Sequence, residues 1–533
     1  MQKKVSLKLL PHEAANNDIL RDYIIQSLAI QPALLSGFNI VKKSIDARSK
    51  QPYINITANT FINEPFFTQN FNEVIFEDVH NADTSAIIIG AGPCGLFAAL
   101  KFLEHGIKPI IIERGKDVRA RRRDLASLNK EGKINAESNY CFGEGGAGTY
   151  SDGKLYTRSN KRGSVQNILN LFAQFGAEEK ILYESHPHIG TNKLPQIITA
   201  MRKQIEDCGG KILFEKKLTD FKIDDNNVQS ITTEDGEVLK ADAYVLATGH
   251  SARDIFLLLN DKKILIEQKP FALGVRIEHP QQVIDSIQYH CAVRDKYLPP
   301  ASYSLVEQVN DKGVFSFCMC PGGIIAPAAT ANEELVVNGW SPSKRNNPFA
   351  NSGIVVQVDN KDLHDFKDYD EDKKHIPGAL LGMYFQQAVE KKAYKEGGGN
   401  FVAPAQRMVD FVNNKTSASL PGCSYVPGLN SVDLRTVLPS FIHTTLQKAF
   451  NDFGKKMRGY LTNDAVIVAT ESRTSSPVRI PRDEIKLSHP QVENLYPCGE
   501  GAGYAGGIVS AAMDGERVAL TIIEKLKASA YHK

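Results

Sequence analysis

Residues 86–114 read AIIIGAGPCGLFAALKFLEHGIKPIIIER, and this stretch decides the fold. Its opening run, residues 86–89, is apolar throughout, as expected of a strand buried on both faces of a parallel sheet. The G-x-G-x-x-G spacing follows, then a helix-forming segment, and a second apolar run ends at Glu113. The pattern predicts a β-α-β unit with an acid at the tip of its second strand.

The glycines of this unit suit a bound dinucleotide. Gly90 permits a tight turn, Gly92 admits a pyrophosphate close to the backbone, and Gly95 lets helix and strand pack closely. The helix start offers free N–H groups to phosphate oxygens. Glu113 can accept hydrogen bonds from a ribose 2′-hydroxyl, which disfavours a 2′-phosphorylated cofactor. This unit does not distinguish FAD from NAD as the cofactor, and a glycine-rich turn that binds no ligand is the alternative interpretation.

Length and composition limit the class of protein. At 533 residues the chain exceeds one ordinary core, so about two or three domains are expected. The formal net charge of +2 gives no overall attraction to nucleic acid or membrane. The 8 cysteines form no paired C-x-x-C motifs, so no zinc site or disulfide framework is indicated. Without an apolar run that suits a signal peptide or membrane span, a cytoplasmic location is expected.

Residues 1–80 are predicted to form a small α+β domain, with a helix over 17–29 capped by Asn16 or Asn17. Its middle is basic, with Lys42, Lys43, Arg48 and Lys50. An RNA-binding appendage and a solvated hairpin face both fit these charges. The scarcity of aromatic residues favours the solvated face, so nucleic acid is not the expected partner.

A basic helical stretch follows the β-α-β unit. Its arginines are Arg119, Arg121, Arg122 and Arg123. They cannot all share one helix face, so only one or two can reach a cofactor phosphate.

A second glycine-rich segment, NYCFGEGGAGTYSDG, covers residues 139–153. Because each glycine costs conformational entropy, such a run favours a loop that must pass close to a large flat ligand, such as a flavin ring. A flexible surface loop is the alternative.

Two later segments end in similar turns. An apolar strand over 241–246 runs into Ala247-Thr248-Gly249, and another over 495–498 precedes a helix over 509–526. In the second turn, Glu500 can bind a ribityl hydroxyl, and the N–H groups at the helix start can stabilise negative charge on a reduced flavin. The predicted cofactor-binding residues are Gly90, Gly92, Pro93, Cys94, Gly95, Glu113, Arg114, Arg123, Gly145, Gly146, Thr149, Ser151, Ala247, Thr248, Gly249, Gly499, Glu500, Gly507 and Ile508.

Over residues 270–435 the alternation of predicted strands and helices stops. Short strands between loops rich in proline and asparagine predict an inserted β-rich domain, which would carry substrate specificity. The predicted domains are therefore an N-terminal domain over 1–80, a cofactor-binding domain in two parts over 81–269 and 436–533, and the inserted domain over 270–435.

These segments resemble the FAD-binding fold of the glutathione-reductase type. The matching parts are the G-x-G-x-x-G motif at 90–95 with Glu113, the turn at 247–249 and the turn at 499–500. More narrowly, NYCFGEGGAGTYSDGKL (139–155) and ESRTSSPVRI (471–480) resemble the largely uncharacterised bacterial FAD-utilising dehydrogenase family, as does the N-terminal domain. The resemblance implies FAD and an α/β fold: a Rossmann-like FAD-binding domain with an inserted β-rich substrate or cap domain. It implies no substrate.

The chain departs from the pyridine-nucleotide disulfide reductases, which carry a second G-x-G-x-x-G and a C-x-x-x-x-C redox pair. Here no second β-α-β unit carries that glycine spacing, and no C-x-x-x-x-C occurs. NAD(P)H or another electron donor would therefore have to bind without its own Rossmann unit.

The expected function is an FAD-dependent oxidoreductase that transfers hydride or electrons between flavin and a small-molecule substrate. The alternative is an RNA-directed flavoprotein whose N-terminal module delivers tRNA. Arg473, Glu471 and Cys141 are the catalytic candidates, with salt bridges or packing as their other roles. Cys318 and Cys320 form a C-x-C, either a redox-active pair or buried packing residues.

Overall fold

The computed structural model describes residues 1–68, 73–157, 163–363, 366 and 376–531. Four sheets of these residues have three or more strands: a 3-stranded sheet at the N-terminus, a 5-stranded parallel sheet, a 3-stranded sheet within residues 218–239 and a 7-stranded sheet. Among the helices of these residues, none is long and apolar enough to cross a membrane.

The N-terminal domain is an antiparallel sheet of order β1-β3-β2 with helices packed against it. Its elements are β1 (Gln2–Leu9), α1 (Pro11–Ala14), α2 (Asn17–Leu28), β2 (Leu35–Asp46) and β3 (Tyr53–Ile62). The predicted helix and its cap are confirmed, because the Asn16 side chain accepts hydrogen bonds from the N–H groups of Asp18 and Ile19.

The next part of the chain alternates strands and helices. Its elements are β4 (Ser85–Ile89), α3 (Pro93–Leu103), β5 (Lys108–Glu113), α4 (Val118–Glu131), α5 (Val165–Gln174), α6 (Leu194–Asp207), β6 (Lys211–Phe214), β7 (Leu218–Asp224), β8 (Asn227–Thr233), β9 (Val238–Leu239), β10 (Ala243–Leu246) and α7 (Arg253–Asp261).

Strands outnumber helices among the described residues beyond α7. The elements up to the last sheet strand of this region are β11 (Glu267–Gln268), β12 (Phe271–Pro280), α8 (Gln281–Tyr289), β13 (Val306–Val309), β14 (Lys312–Cys320), β15 (Ile324–Pro327), β16 (Val337–Trp340), β17 (Phe349–Val358), α9 (Leu381–Gly397), β18 (Ala403–Arg407), α10 (Met408–Val412), β19 (Leu429–Ser431), α11 (Ser440–Lys456) and β20 (Val466–Glu471). The C-terminal elements are β21 (Val478–Arg479), β22 (Leu495–Pro497) and α12 (Ile508–Tyr531).

The parallel sheet has the order β22-β10-β4-β5-β6. Its central strand β4 is apolar on both faces because Ala86 and Ile88 enter one core while Ile87 and Ile89 enter another. Helix α12 packs on α3 at Gly515, where an added Cβ would lie 2.2 Å from the carbonyl oxygen of Cys94. The last helix therefore fixes the position at which α3 begins.

The second large sheet has the order β13-β14-β17-β12-β20-β18-β19, and its pairs are antiparallel except β18–β19. Strand β20 lies inside this sheet, between β12 and β18. The predicted boundary at 435/436 therefore needs correction, because β20 and the core residues of α11 pack with the inserted sheet and not with the parallel sheet. This second part of the fold extends to Glu471.

Candidate functional site

A cavity of about 380 Å³ lies at the carboxyl ends of β4, β5 and β10. This edge is where open parallel sheets bind their ligands. Most of the predicted cofactor residues line it: Gly90, Gly92, Pro93, Cys94, Glu113, Arg114, Gly146, Ser151, Ala247, Thr248, Gly249, Glu500, Gly507 and Ile508. Residues more than 400 positions apart in the sequence thus share one wall, as the sequence pattern predicts.

Four of the predicted residues lie behind this wall and position it. An added Cβ on Gly95 would lie 2.0 Å from the carbonyl oxygen of Gly90, which is the close packing expected there. The N–H of Gly145 donates to the carbonyl of Ala91 at 2.7 Å. The remaining two are held by their own neighbours, since the Thr149 hydroxyl donates to the Glu144 carbonyl and the Gly499 N–H donates to the Asp514 carboxylate.

Arg123 was predicted to bind the cofactor, but Arg121 is the arginine of α4 that lies in the interior. Arg123 is exposed and outside the cavity lining, whereas Arg121 is fully buried. The Arg121 guanidinium donates to the carbonyl oxygens of Asn139, Tyr140 and Glu144, each at 2.8 Å. Arg121 therefore holds the glycine-rich loop in place. The spacing of Arg121, Leu125 and Leu128, all buried on one face of α4, is the sequence signal that identifies it.

Glu113 is buried, and it stabilises the turn beside the predicted ribose site. Its Oε2 accepts a hydrogen bond from the N–H of Ala91, and its Oε1 accepts from Gly115 and Gly143, all at 2.9 Å. A carboxylate offers about four acceptor positions, so Glu113 keeps capacity for a ribose hydroxyl. The sequence predicts the second role but not the first.

Two helix starts reach the cavity, those of α3 and α12. An added Cβ on Gly92 or on Gly507 would meet no protein atom within 4 Å, so ligand atoms can approach the backbone at both places. Helix N-termini carry free N–H groups and a partial positive charge, which suit phosphate and other anionic groups. Together with Glu113, these features fit a dinucleotide cofactor.

The opposite wall comes from Phe317 and Cys318 of the seven-stranded sheet and from Asn338 of the two-stranded β15–β16 sheet. Two contacts join this side of the cavity to Asp152 and Lys154, at the end of the glycine-rich loop. Asp152 forms an ion pair with Arg345, whose Nε lies 2.9 Å from Oδ1, and the Lys154 ammonium donates to the carbonyl of Met319.

Arg473 lines the cavity as part of a buried ion cluster, defined here as Arg253, Glu334, Glu390 and Arg473. Arg473 donates to Glu390 at 2.8 and 3.1 Å and to Glu334 at 3.1 Å. Burial alone would raise the pKa of Glu390, but the two arginines outweigh it and lower that pKa to about 2.

The other two catalytic candidates occupy different places. Glu471 does not line the cavity; it is fully buried and pairs with the Nη1 of Arg276 at 2.9 Å. Burial raises the pKa of Glu471 to about 7, against the attraction of Arg276. Cys141 does line the cavity, and its sulfur lies 3.3 Å from the hydroxyl of Ser251.

Family models match three parts of the chain. Residues 83–247 match an FAD binding domain, and residues 270–474 match an "FAD-dependent protein, C-terminal domain-like" model. Residues 1–61 match a domain of unknown function. The protein therefore binds FAD, and because flavins carry redox chemistry it is a flavoprotein oxidoreductase.

The chain belongs to one family with an uncharacterized protein of Clostridium beijerinckii. The two are 38% identical over 526 residues, which are 95% of this chain and 96% of that protein. The FAD-dependent C-terminal model ends at residue 474, in agreement with the extension of the second sheet to β20.

Solved structures give weaker likenesses. Glycine oxidase from Bacillus cereus is 12% identical, with a TM-score of 0.31 over 83% of this chain and 96% of that one. Tetracycline destructase Tet(51) is 12% identical, with a TM-score of 0.27 over 54% of this chain and 63% of that one, less than two thirds of its length. Likenesses this weak do not bear on the reaction of this chain.

Replacement of Arg114 by alanine is expected to weaken FAD binding several-fold. Arg114 lines the cavity, and its guanidinium carbon lies 4.5 Å from the ring centre of Phe142. Loss of this charged group costs on the order of 1 kcal/mol, or about fivefold in affinity. Titration of the apoprotein with FAD measures the change. Arg123→Ala is the matched control, and an equal loss in both variants would contradict this assignment.

Proposed function

We propose that the protein is a dehydrogenase-type flavoenzyme, which transfers hydride or electrons between FAD and a small-molecule substrate. The observation that carries this proposal is the shared cavity, since the FAD-binding loops and the seven-stranded sheet each supply one wall of it. FAD supplies the redox chemistry when bound, and the protein supplies binding, orientation and electrostatics. A substrate bound against the second wall would lie within the same cavity.

The residues of the two walls have different proposed roles. Glu113 would bind the ribose, and the helix starts at Gly92 and Gly507 would hold the anionic parts of the cofactor. Asn338 on the second wall, and Lys154, which reaches across to that wall, offer polar groups that can orient a substrate. Arg473 adds positive charge there, although the ion cluster fixes its position.

The electron donor and the more specific classification of the FAD-binding fold are part of the same proposal. We infer a glutathione-reductase-type arrangement of the FAD-binding part, supported by the parallel sheet order and by the acid at the end of β5. NAD(P)H is the proposed donor, bound without a second Rossmann unit. The cytoplasmic location stays a prediction of the sequence.

The RNA-directed alternative also stays a prediction. Part of the basic N-terminal segment is engaged within the protein: Arg48 forms an ion pair with Asp46, and the backbone of Lys43 exchanges hydrogen bonds with Tyr183 and Ser185. None of these contacts favours RNA binding over a structural role.

Anaerobic reduction of the holoenzyme tests the proposed function. We expect NADH or NADPH to bleach the visible flavin absorbance, and a member of a metabolite panel to restore it without oxygen. Arg123→Ala should behave as the wild type, since Arg123 is exposed and outside the cavity. Flavin that binds normally but is reduced by no donor would contradict an enzymatic role. Restoration that requires oxygen, with an oxygenated product, would indicate a monooxygenase instead of a dehydrogenase.

A further inference from the structure

The cavity wall contains a bulged strand with two cysteines. Strand β14 pairs with β17 at Phe317–Gly353 and then at Cys320–Asn351, so two residues on β14, Cys318 and Met319, lie opposite one residue on β17. The extra residue is a β-bulge, and Cys318 within it has a φ of 45°.

The bulge brings the two cysteines together. In a regular strand, residues two apart have Cα atoms about 6.6 Å apart, near the upper limit for a disulfide. Here the Cys320 thiol donates a hydrogen bond to the carbonyl oxygen of Cys318 at 3.2 Å. Cys318 is half-buried and lines the FAD cavity, whereas Cys320 is fully buried behind it.

Two cations flank the pair. The Nη2 of Arg276 donates to the carbonyl of Cys318 at 2.6 Å and lies 3.5 Å from the sulfur of Cys320. On the cavity side, Lys154 donates to the carbonyl of Met319, the residue between the two cysteines. The hydrogen bond from Cys320 lowers the pKa of Cys318 to about 5; burial opposes the shift, and both cations reinforce it.

Two buried donors beside the pair have no hydrogen-bond partner among the described residues. They are the hydroxyl of Tyr140 and the Nδ2 of Asn351. Asn351 faces Cys320 across the strands, and the pKa of Tyr140 is raised by burial and then by the charges of Cys318 and Cys320. A redox or catalytic role is one physical explanation for buried polar groups without a partner.

We propose that Cys318 and Cys320 are a dithiol–disulfide couple that exchanges electrons with FAD. In the oxidising direction the two thiols lose two electrons and two protons and form one S–S bond. FAD takes up the same two electrons and two protons and becomes FADH₂. Cys318 faces the cavity, and Cys320 closes the disulfide from behind. The inference rests on the proposed function for its electron partner.

An anaerobic reductive titration of the holoenzyme tests the couple. The fully oxidised wild type is expected to take up one more electron pair per FAD than Cys320→Ser or Cys318→Ser. Cys291→Ser is the matched control, because Cys291 is a half-buried cysteine away from the cavity. Its uptake should equal that of the wild type.

Peptide mapping gives a readout that needs neither a variant nor activity. Trypsin releases residues 313–344, which contain no cysteine besides Cys318 and Cys320. The oxidised protein should yield this peptide lighter by two hydrogen atoms and resistant to alkylation, and the reduced protein should yield it doubly alkylated. Cys94 and Cys498, whose sulfurs lie 3.0 Å apart, fall on other peptides.

The two hypotheses fail in different ways. A peptide that stays doubly alkylated in the oxidised holoenzyme, with equal electron uptake in all variants, overturns the couple but leaves the flavin reaction intact. A disulfide peptide in a holoenzyme whose FAD no nicotinamide or metabolite reduces supports the couple and overturns the proposed reaction. A disulfide that forms without the additional electron uptake also overturns the inference, because it is then disconnected from FAD.

Discussion

Gly92→Val is expected to lower FAD affinity at least about a hundredfold and to leave the fold intact. Gly92 has φ −76° and ψ −178°, an extended conformation that any residue adopts. An added Cβ meets no protein atom within 4 Å, so the new side chain occupies the cavity and not the core. A hydrogen bond to a charged group contributes about 1.5–3 kcal/mol, so displacement of the phosphates from the α3 start costs roughly 3 kcal/mol or more.

Titration of the apoprotein with FAD, with thermal unfolding alongside it, measures both halves of this expectation. The apoprotein melting temperature should stay within about 3 °C of the wild type. Gly422→Val is the matched control, since Gly422 is exposed, has no atom within 4 Å of an added Cβ and lies outside the cavity. Unchanged FAD affinity in Gly92→Val would show that the phosphates bind elsewhere.

Local pattern was sufficient for the unit that contains this glycine. The predicted strand at 86–89 and the second apolar run, which ends at Glu113, correspond to β4 and β5, because a buried strand, a glycine turn and an acid are recognisable within a few residues. Glu113, the turn at 247–249 and Glu500 reach one cavity for the same reason, since parallel strands end at one edge.

The sheet that a strand joins, and the surroundings of a side chain that depend on distant residues, were not predictable in the same way. All six residues of β20 are buried, which a strand of either large sheet would show, and only pairing with β12 and β18 decides between them. The environment of Cys318 depends on Arg276 and Lys154, which are distant in the sequence, and on a bulge that no local pattern reveals.

Glu390→Gln is expected to destabilise the protein by about 3–5 kcal/mol at neutral pH. Glu390 is fully buried and accepts hydrogen bonds from Ser472, Arg253 and Arg473. With a neutral amide at position 390, the guanidinium groups of Arg253 and Arg473 share Glu334 as the one carboxylate left in the ion cluster. Removal of one partner from a buried ion pair costs this much because the remaining charge stays desolvated.

The pH dependence of this effect has a definite sign. Glu390 has a folded-state pKa of about 2 against an ordinary value of 4.5, so the unfolded chain binds the proton first as pH falls. The stabilisation is complete above the ordinary value and is lost as pH falls toward 2. The gap between wild type and Glu390→Gln should therefore narrow in acid, by up to about 3 kcal/mol.

Urea unfolding at pH 7 and in acid measures both effects, with Glu179→Gln as the control. Glu179 is exposed, so its replacement should change stability little. The same variant separates two roles of Arg473. If Arg473 mainly holds α9 and α7 against the segment after β20, stability and FAD reduction fall together. If Arg473 acts directly on substrate, Glu390→Gln should slow substrate turnover while stability and FAD affinity stay near the wild type, which would contradict the structural role.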